Sequence, residues 1–412
     1  MGIKLGIVGL GSFGRAFVQL FKAHPLVDKI ALCDIEESKL KYWSEQECLK
    51  DKFNPRDAYR SLDEICQADL DAIVVITQPW LHAPQCLQVM ESGKHVYSAV
   101  PVISLPDFDE TLDWCGKLIE TTKRTGMHYM LGETTIYRPQ TMYCRHKAQQ
   151  GAFGNFVYAE GEYVHDVDWS CCSLRHVQAS RTTGAVGKQY NAVMEKYWKK
   201  GIFSSPMNYP THSVSGPLSV MDSLPNKVSA IGYRNANNDD YFAHSNFSNV
   251  TAFYHMDNGA CLRIAEYREI SGNVGCDDED FRIFGTSGSY SNLQWRENGR
   301  VIPDGTPLEN KVTQLDLNSM RDPLPQEVAD AFNMMLNKDA KPGDDFIPSG
   351  HGGSHPYLVH EFVSSVAENR IPAISAWDAA AYMAMGAAAH KSALKDGELV
   401  KVHHFGRAPR NN

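Results

Sequence analysis

Leu5-Gly6-Ile7-Val8 runs straight into Gly9-Leu10-Gly11-Ser12-Phe13-Gly14, and this junction decides how the first third of the chain folds. Four apolar residues with no polar break suit a strand buried on both faces. Phe13, Ala16, Phe17, Leu20 and Phe21 then recur at helical spacing, so the Gly-x-Gly-x-x-Gly stretch stands where a strand turns into a helix. Each glycine has a use there: Gly9 for the tight turn, Gly11 for close approach of a pyrophosphate, Gly14 for packing helix on strand. The helix start adds unpaired N–H groups and the positive end of its dipole.

Working outward, the strand Lys29-Ile30-Ala31-Leu32-Cys33 ends in Asp34, about 20 residues past the third glycine, where an acid accepts hydrogen bonds from a ribose diol. No Arg follows it, and Glu36 would repel a 2′-phosphate, so the expected cofactor is NAD rather than NADP. A buried strand over Asp71 to Thr77 leads into Gln78-Pro79-Trp80-Leu81-His82, a loop at a strand's C-terminal end, where ligands of open α/β sheets bind. A helix from about Ala83 to Glu91, a strand His95 to Ser98, Pro101, and a strand His128 to Gly132 that delivers Glu133 to the same edge complete the pattern. Residues 1–136 therefore read as an α/β Rossmann domain with a parallel sheet. Its expected cofactor contacts are Gly9, Gly11, Ser12, Phe13, Gly14, Asp34, Thr77, Gln78, Pro79, His82 and Pro101.

Residues 137–412 read as a second, α+β domain. A helix follows Tyr137-Arg138-Pro139. Alternating runs at Phe156 to Tyr163, Lys227 to Tyr233, Thr251 to Tyr254, Cys261 to Tyr267 and Asp280 to Phe284 then predict a large, mostly antiparallel sheet. Turn signals at Asn258-Gly259, Gly285-Thr286-Ser287-Gly288 and Asn298-Gly299 supply hairpins. Asp378 is the expected N-cap of an Ala-rich helix over Ala379 to Lys395, ended by Gly397 and packed against the first domain. The tail from about Phe405 reads as loose.

Composition narrows the function. With 412 residues and 43% hydrophobic content the chain can bury a full core, and a net charge of −9 without clustered Lys and Arg argues against nucleic acid. The ten cysteines lie singly apart from Cys171-Cys172, with no Cys-x-x-Cys pair, so neither a metal site nor a disulfide framework is expected. No stretch approaches the roughly 20 apolar residues of a membrane helix. The start shows no hydrophobic leader, so a cytoplasmic location is expected.

These pieces, with Thr77-x-Pro79-x-x-His82 and Gly93-Lys94-His95-Val96, resemble the Gfo/Idh/MocA oxidoreductase family. In the family's sugar and polyol dehydrogenases that strand ends in Glu-Lys-Pro, whose Lys helps proton transfer. Here the positions are Ala99, Val100 and Pro101, and a Val cannot exchange a proton. One branch also has Val there, though it usually keeps Glu where Ala99 stands: the NAD-dependent glycoside hydrolases similar to the bacterial α-N-acetylgalactosaminidases of family 109. Tyr163-Val164-His165-Asp166 looks like that branch's Tyr-x-His-Asp segment. Asn208-Tyr209-Pro210-Thr211-His212, followed by Gly216-Pro217, looks like its Asn-Tyr-Pro-Thr-His stretch, and Gly350-His351-Gly352-Gly353 resembles its Gly-His-Gly-Gly loop. The stretch from Trp169 to Phe203 matches nothing in the resemblance.

The resemblance implies a small-molecule glycoside substrate and a bound NAD used transiently: C3 of the sugar is oxidised, the C2 hydrogen becomes acidic, the aglycone is eliminated, water adds and the hydride returns. Such a route dispenses with the flanking carboxylate pair of ordinary glycosidases. His212 is the candidate for the C3 hydroxyl proton and Tyr163 for the C2 proton, with His165 two residues on, on the same strand face. Tyr209, Glu133 and His351 are the expected sugar ligands. Against these stand blander readings: a structural histidine, a packing tyrosine, an ion pair at a strand end. A net sugar dehydrogenase is the second function on this scaffold and a non-catalytic NAD- or sugar-sensing regulator the third. The family's second-domain sheet often forms dimers, so a homo-oligomer is expected.

Overall fold

The computed structural model describes residues 2–168, 173–271, 278–297, 304–306 and 309–409. The turn signal at Asn298-Gly299 and the pair Cys171-Cys172 lie outside them.

Strands β1 (Ile3–Val8), β2 (Val27–Cys33), β3 (Phe53–Tyr59), β4 (Ala72–Val75), β5 (His95–Ser98) and β6 (Tyr129–Leu131) form a sheet in the order β3-β2-β1-β4-β5-β6. Every pairing in it is parallel. Helices α1 (Ser12–Ala23), α2 (Glu37–Ser44), α3 (Leu62–Cys66), α4 (His82–Glu91) and α5 (Phe108–Thr125) make the crossovers. The order reverses between β1 and β4, which opens a crevice at the strands' carboxyl ends. The glycine turn meets its steric demands there: a Cβ on Gly14 would lie 2.1 Å from the Gly9 carbonyl oxygen, and Gly9 has φ +95° with Ile76 O in the way.

The second sheet holds β7 (Phe156–Val164), β8 (Pro225–Tyr233), β9 (Asn249–Met256), β10 (Cys261–Tyr267), β11 (Asp278–Gly285), β12 (Gly288–Ser291), β13 (Gln294–Glu297), β14 (Lys311–Gln314) and β15 (Val400–Lys401). Their order is β14-β13-β12-β11-β7-β10-β9-β8-β15, antiparallel except where β7 pairs with β10. The remaining helices are α6 (Pro139–Gln149), α7 (Leu174–Thr182), α8 (Gly184–Trp198), α9 (Thr211–Met221), α10 (Gln326–Leu336), α11 (His355–Glu368) and α12 (Ala376–Ala393). Helix α9 covers β7, β10 and β11 on one face of the sheet. A Cβ on Gly161 of β7 would fall 2.0 Å from Ser213 O, so glycine lets α9 lie directly on that strand.

The last third of the chain completes the first domain. Helices α10 and α11 pack on α1, and α12 packs between α5 and β8. Helix α12 is buried nearly all round, which explains its alanines: a Cβ on Gly386 would lie 2.2 Å from Met207 O. Two expectations are corrected here. The cap of α12 is Ser375, three residues before Asp378, and Asp378 is the acidic member of a capping box whose carboxylate accepts the Ser375 N–H at 2.9 Å. The tail from Phe405 is tied down at points: Phe405 and Ala408 pack against the core, and Arg407 pairs with Asp222 at the C-terminus of α9.

Replacing the cap, Ser375→Ala, is expected to cost about 1 kcal/mol, seen as a lower midpoint in urea unfolding at unchanged slope. An unchanged midpoint would mean that packing of α12, not its cap, fixes where the helix begins.

Candidate active site

The crevice begins at the glycine turn. Space beside Gly11 is open, a Cβ there meeting nothing within 4 Å, and no side chain caps the start of α1, which Ser12 and Phe13 open. Asp34 ends β2 with both carboxylate oxygens engaged, Oδ2 by the Leu10 N–H at 2.8 Å and Oδ1 by the Glu36 N–H at 2.9 Å. Each oxygen keeps capacity for another donor. These residues fit a dinucleotide: an open glycine face and uncapped helix start for the pyrophosphate, a fixed acid for the ribose.

The loop after β4 is built differently from expectation. Thr77 Oγ1 bonds Gln85 at 2.5 Å, Gln78 precedes a short 3-10 turn, and Pro79 borders the cavity described below. His82 is buried, with Nδ1 2.8 Å from Pro101 O and Nε2 3.3 Å from Thr77 O, so it ties this loop to Pro101 rather than offering a nitrogen to a cofactor. Burial lowers its pKa to about 4 and keeps the ring neutral. His351 stands beside the glycine turn. Its ring lies 5.8 Å from Phe13 and its Nδ1 3.0 Å from His355.

Across the crevice, β7 and α9 bring the chemistry-bearing side chains together. The rings of Tyr163 and His212 are 5.1 Å apart, as are those of Tyr209 and His212. The Tyr163 hydroxyl is 2.8 Å from His165 Nδ1, and the Arg268 guanidinium lies over the Tyr163 ring at 4.2 Å. Glu133 makes the ion pair at a strand end that stood beside its reading as a sugar ligand, with His212 as partner. It is fully buried, and its Oε1 is 2.9 Å from His212 Nδ1 while accepting the Thr135 N–H at 2.9 Å. Behind it Glu279 takes an ion pair from Arg138 at 2.7 Å and the Thr135 hydroxyl at 3.0 Å. Burial alone would depress the His212 imidazole, but the Glu133 and Glu279 carboxylates outweigh it and raise its pKa to about 9. Glu133 is correspondingly held below its ordinary value by His212, against burial.

Next to His212 on α9, Ser213 donates to Glu266, which also holds Arg268 at 2.6 Å. Burial pushes the Glu266 carboxyl up to about 7 despite Arg268. Tyr163, Tyr209 and Arg268 border a cavity of about 340 Å³ whose other walls are Pro79 and Trp80 from the first domain and residues of α7 and α8. The unmatched stretch between residues 169 and 203 is thus, in its described part, the cavity's roof. Val100, where the resembling dehydrogenases have Lys, is buried, its carbonyl 3.4 Å from the Tyr209 hydroxyl.

Glu266, Arg268 and Glu279 escaped the sequence reading, yet strand parity marks them. Glu266 and Arg268 share a face with buried Leu262 and Ile264, and Glu279 with buried Phe281 and Ile283. Charged residues on a core-facing parity are costly unless paired, which is a signal in itself. Arg181, Tyr190 and Trp198 had no such signal.

Residues 3–133 match the Gfo/Idh/MocA model, described as an oxidoreductase family with an NAD-binding Rossmann fold. The chain is 34% identical over 221 residues to glycosyl hydrolase family 109 protein 2 of Bacteroides fragilis strain YCH46, covering 52% of this chain and 47% of that one. It matches an alpha-N-acetylgalactosaminidase of Bacteroides fragilis to the same extent. The match spans about half the length of these curated relatives. Among solved structures, the scyllo-inositol dehydrogenase of Lactobacillus casei with bound NAD(H) and scyllo-inositol aligns at TM-score 0.65 and 15% identity over 97% of this chain and 99% of that one. An oxidoreductase domain protein of Kribbella flavida aligns at 0.69 and 15% identity over 98% and 100%. These likenesses show a shared fold. Among the described residues no helix is long and apolar enough to cross a membrane.

The His212–Glu133 pair sets a pH dependence. His212 has a folded pKa raised above 6.5, so its share of stability is fully present below about 6.5 and is lost as pH rises through about 9. Glu133, lowered from 4.5, adds stability above that value and loses it as pH falls further. Histidine NMR should therefore show one ring titrating near 9 that disappears in His212→Asn and moves down in Glu133→Gln. A His212 signal titrating at or below 6.5 in the unmutated chain would contradict the pairing.

Proposed function

From the premise that residues 3–133 belong to the NAD-binding Rossmann fold of the Gfo/Idh/MocA oxidoreductase family, we propose that the chain is an NAD-dependent glycoside hydrolase working by oxidation, elimination, hydration and re-reduction. The observation that carries this is the juxtaposition of Tyr163 and His212, rings 5.1 Å apart, with Tyr163 bordering a cavity that Pro79 and Trp80 also line and Val100 in place of a proton-transferring Lys. When bound, NAD takes a hydride from C3 of the sugar and gives it back. Everything else falls to side chains of this chain.

His212 has Nδ1 engaged by Glu133, which leaves Nε2 for the C3 hydroxyl. Glu133 fixes the ring and raises its pKa to about 9, so the unprotonated ring that takes the C3 proton at Nε2 grows in share as pH rises toward 9, and turnover should rise with it. The same nitrogen returns the proton when the C3 ketone is reduced. Oxidation of C3 makes the C2 hydrogen acidic, and Tyr163 Oη takes it. The Arg268 cation over the ring offsets negative charge developing there, and His165 Nδ1, 2.8 Å from Oη, relays the proton. The C1 bond to the aglycone then breaks, water adds at C1, and a proton returns to C2. Atoms balance as glycoside plus water to sugar plus aglycone, with no net change in NAD. The family 109 names of relatives 34% identical over about half their length support this reading.

The test is incubation of the protein and NAD with nitrophenyl α- and β-glycosides in deuterated water. Expected are aglycone release, no accumulation of NADH, and deuterium at C2 of the product. Tyr163→Phe should lower kcat about 10²–10⁴-fold and retard deuterium entry in parallel. Accumulating NADH from free sugars with no glycoside cleaved would overturn the proposal in favour of a net dehydrogenase.

A further inference from the structure

We propose that the glycoside taken by this cavity carries an anionic group, a carboxylate or a sulfate ester, which pairs with Arg181; this rests on the glycosidase reading of the same site. Helix α7 turns one stripe toward the cavity: Leu174, Val177, Gln178 and Arg181, at i, i+3, i+4 and i+7. Helix α8 adds Tyr190, Met194 and Trp198 at spacings of four. The wall is therefore largely aromatic and apolar, with one guanidinium set in it.

That guanidinium differs from the others nearby. Arg175 on the same helix is held by Asp168 at 2.5 Å and Asp239 at 2.6 Å. Arg268, which also borders the cavity, is held by Glu266 at 2.6 Å. Among the described residues no carboxylate, carbonyl or hydroxyl accepts a hydrogen bond from Arg181. Its charge acts on the hydroxyls of Tyr209, Tyr241 and Tyr190 and on the neutral ring of His82. Asp240 is the one carboxylate among the lining residues; it is exposed and makes no ion pair with Arg181.

A half-buried cation against aromatic walls is costly to desolvate without a counter-charge. Burial accordingly lowers the Arg181 pKa. The planar fork of a guanidinium matches a carboxylate or sulfate two-oxygen edge, with two parallel hydrogen bonds. A ligand anion would supply the acceptor that the described residues do not. Tyr209, whose hydroxyl feels the Arg181 charge, stacks near His212 and Tyr163, so the anion would sit within one sugar's reach of the reacting carbons.

The experiment compares matched nitrophenyl glycosides in three forms, neutral, 6-carboxylate and 6-sulfate, for the unmutated chain, Arg181→Gln and Arg181→Lys. In the unmutated chain one charged form should exceed its neutral twin by about 10²-fold in kcat/KM. That preference should fall toward one in Arg181→Gln and survive in part in Arg181→Lys, and the arm showing it tells carboxylate from sulfate. Equal or better turnover of the neutral twin, or a charge preference untouched in Arg181→Gln, would overturn the inference while leaving the glycosidase reading standing. If no glycoside is cleaved, that reading fails, and calorimetric titration of the NAD-loaded protein with free glucuronate, glucose 6-sulfate and glucose decides the inference separately. Tighter binding of an anion, lost in Arg181→Gln, supports it; equal binding of all three overturns it.

Discussion

The buried pair of His212 and Glu133 is the constraint on which the rest of the arrangement depends. Glu133 comes from the edge of the first sheet and His212 from the first turn of α9, so their 2.9 Å contact joins the two domains across the crevice. A fully buried carboxylate is tolerable only with its partners in place. Glu133 therefore depends on His212 and the Thr135 N–H, and Glu279 behind it on Arg138 and Thr135. Gly161 serves the same end sterically, since any side chain there would push α9 off β7 and separate His212 from Tyr163.

Around that pair the molecule divides its tasks. The first domain supplies an open glycine turn and a fixed acid, which suit a dinucleotide of any use. The second brings Tyr163 of β7 and His165 just past it beside His212 of α9, whose imidazole Glu133 and Glu279 hold protonated to about pH 9. Helices α7 and α8 line the cavity beside Tyr163 and Tyr209. Arg175 ties α7 to Asp168 and Asp239, and the Tyr197 hydroxyl of α8 donates to Glu110 of the first domain at 2.8 Å.

Much of this was legible in the sequence, for definable reasons. Continuous apolar strands beside a glycine turn have few other physical meanings, and alternation with turn residues marked the second sheet. Tyr163, His165, Tyr209 and His212 converge as their resemblance implied. What was not legible was which polar group would be buried against which. Glu133 and His82 stand at strand and loop ends that face ligands in an open sheet, but here each is covered by a neighbouring element and turned into an internal partner. Asp378 has the chemistry of a cap, yet Ser375 lies three residues earlier and the two divide the task. His351 follows a glycine-rich loop whose path over Phe13 depends on α11, far from any local signal.

The central claim is that a hydride leaves the sugar and returns within a single turnover, with Tyr163 and His212 moving protons in between. Rapid mixing of the NAD-loaded protein with a cleaved glycoside, following the absorbance of reduced nicotinamide, addresses it directly. The account predicts a transient that rises before aglycone appears, never exceeds the enzyme concentration, and decays as product forms. Aglycone released with no reduced nicotinamide at any time would contradict it.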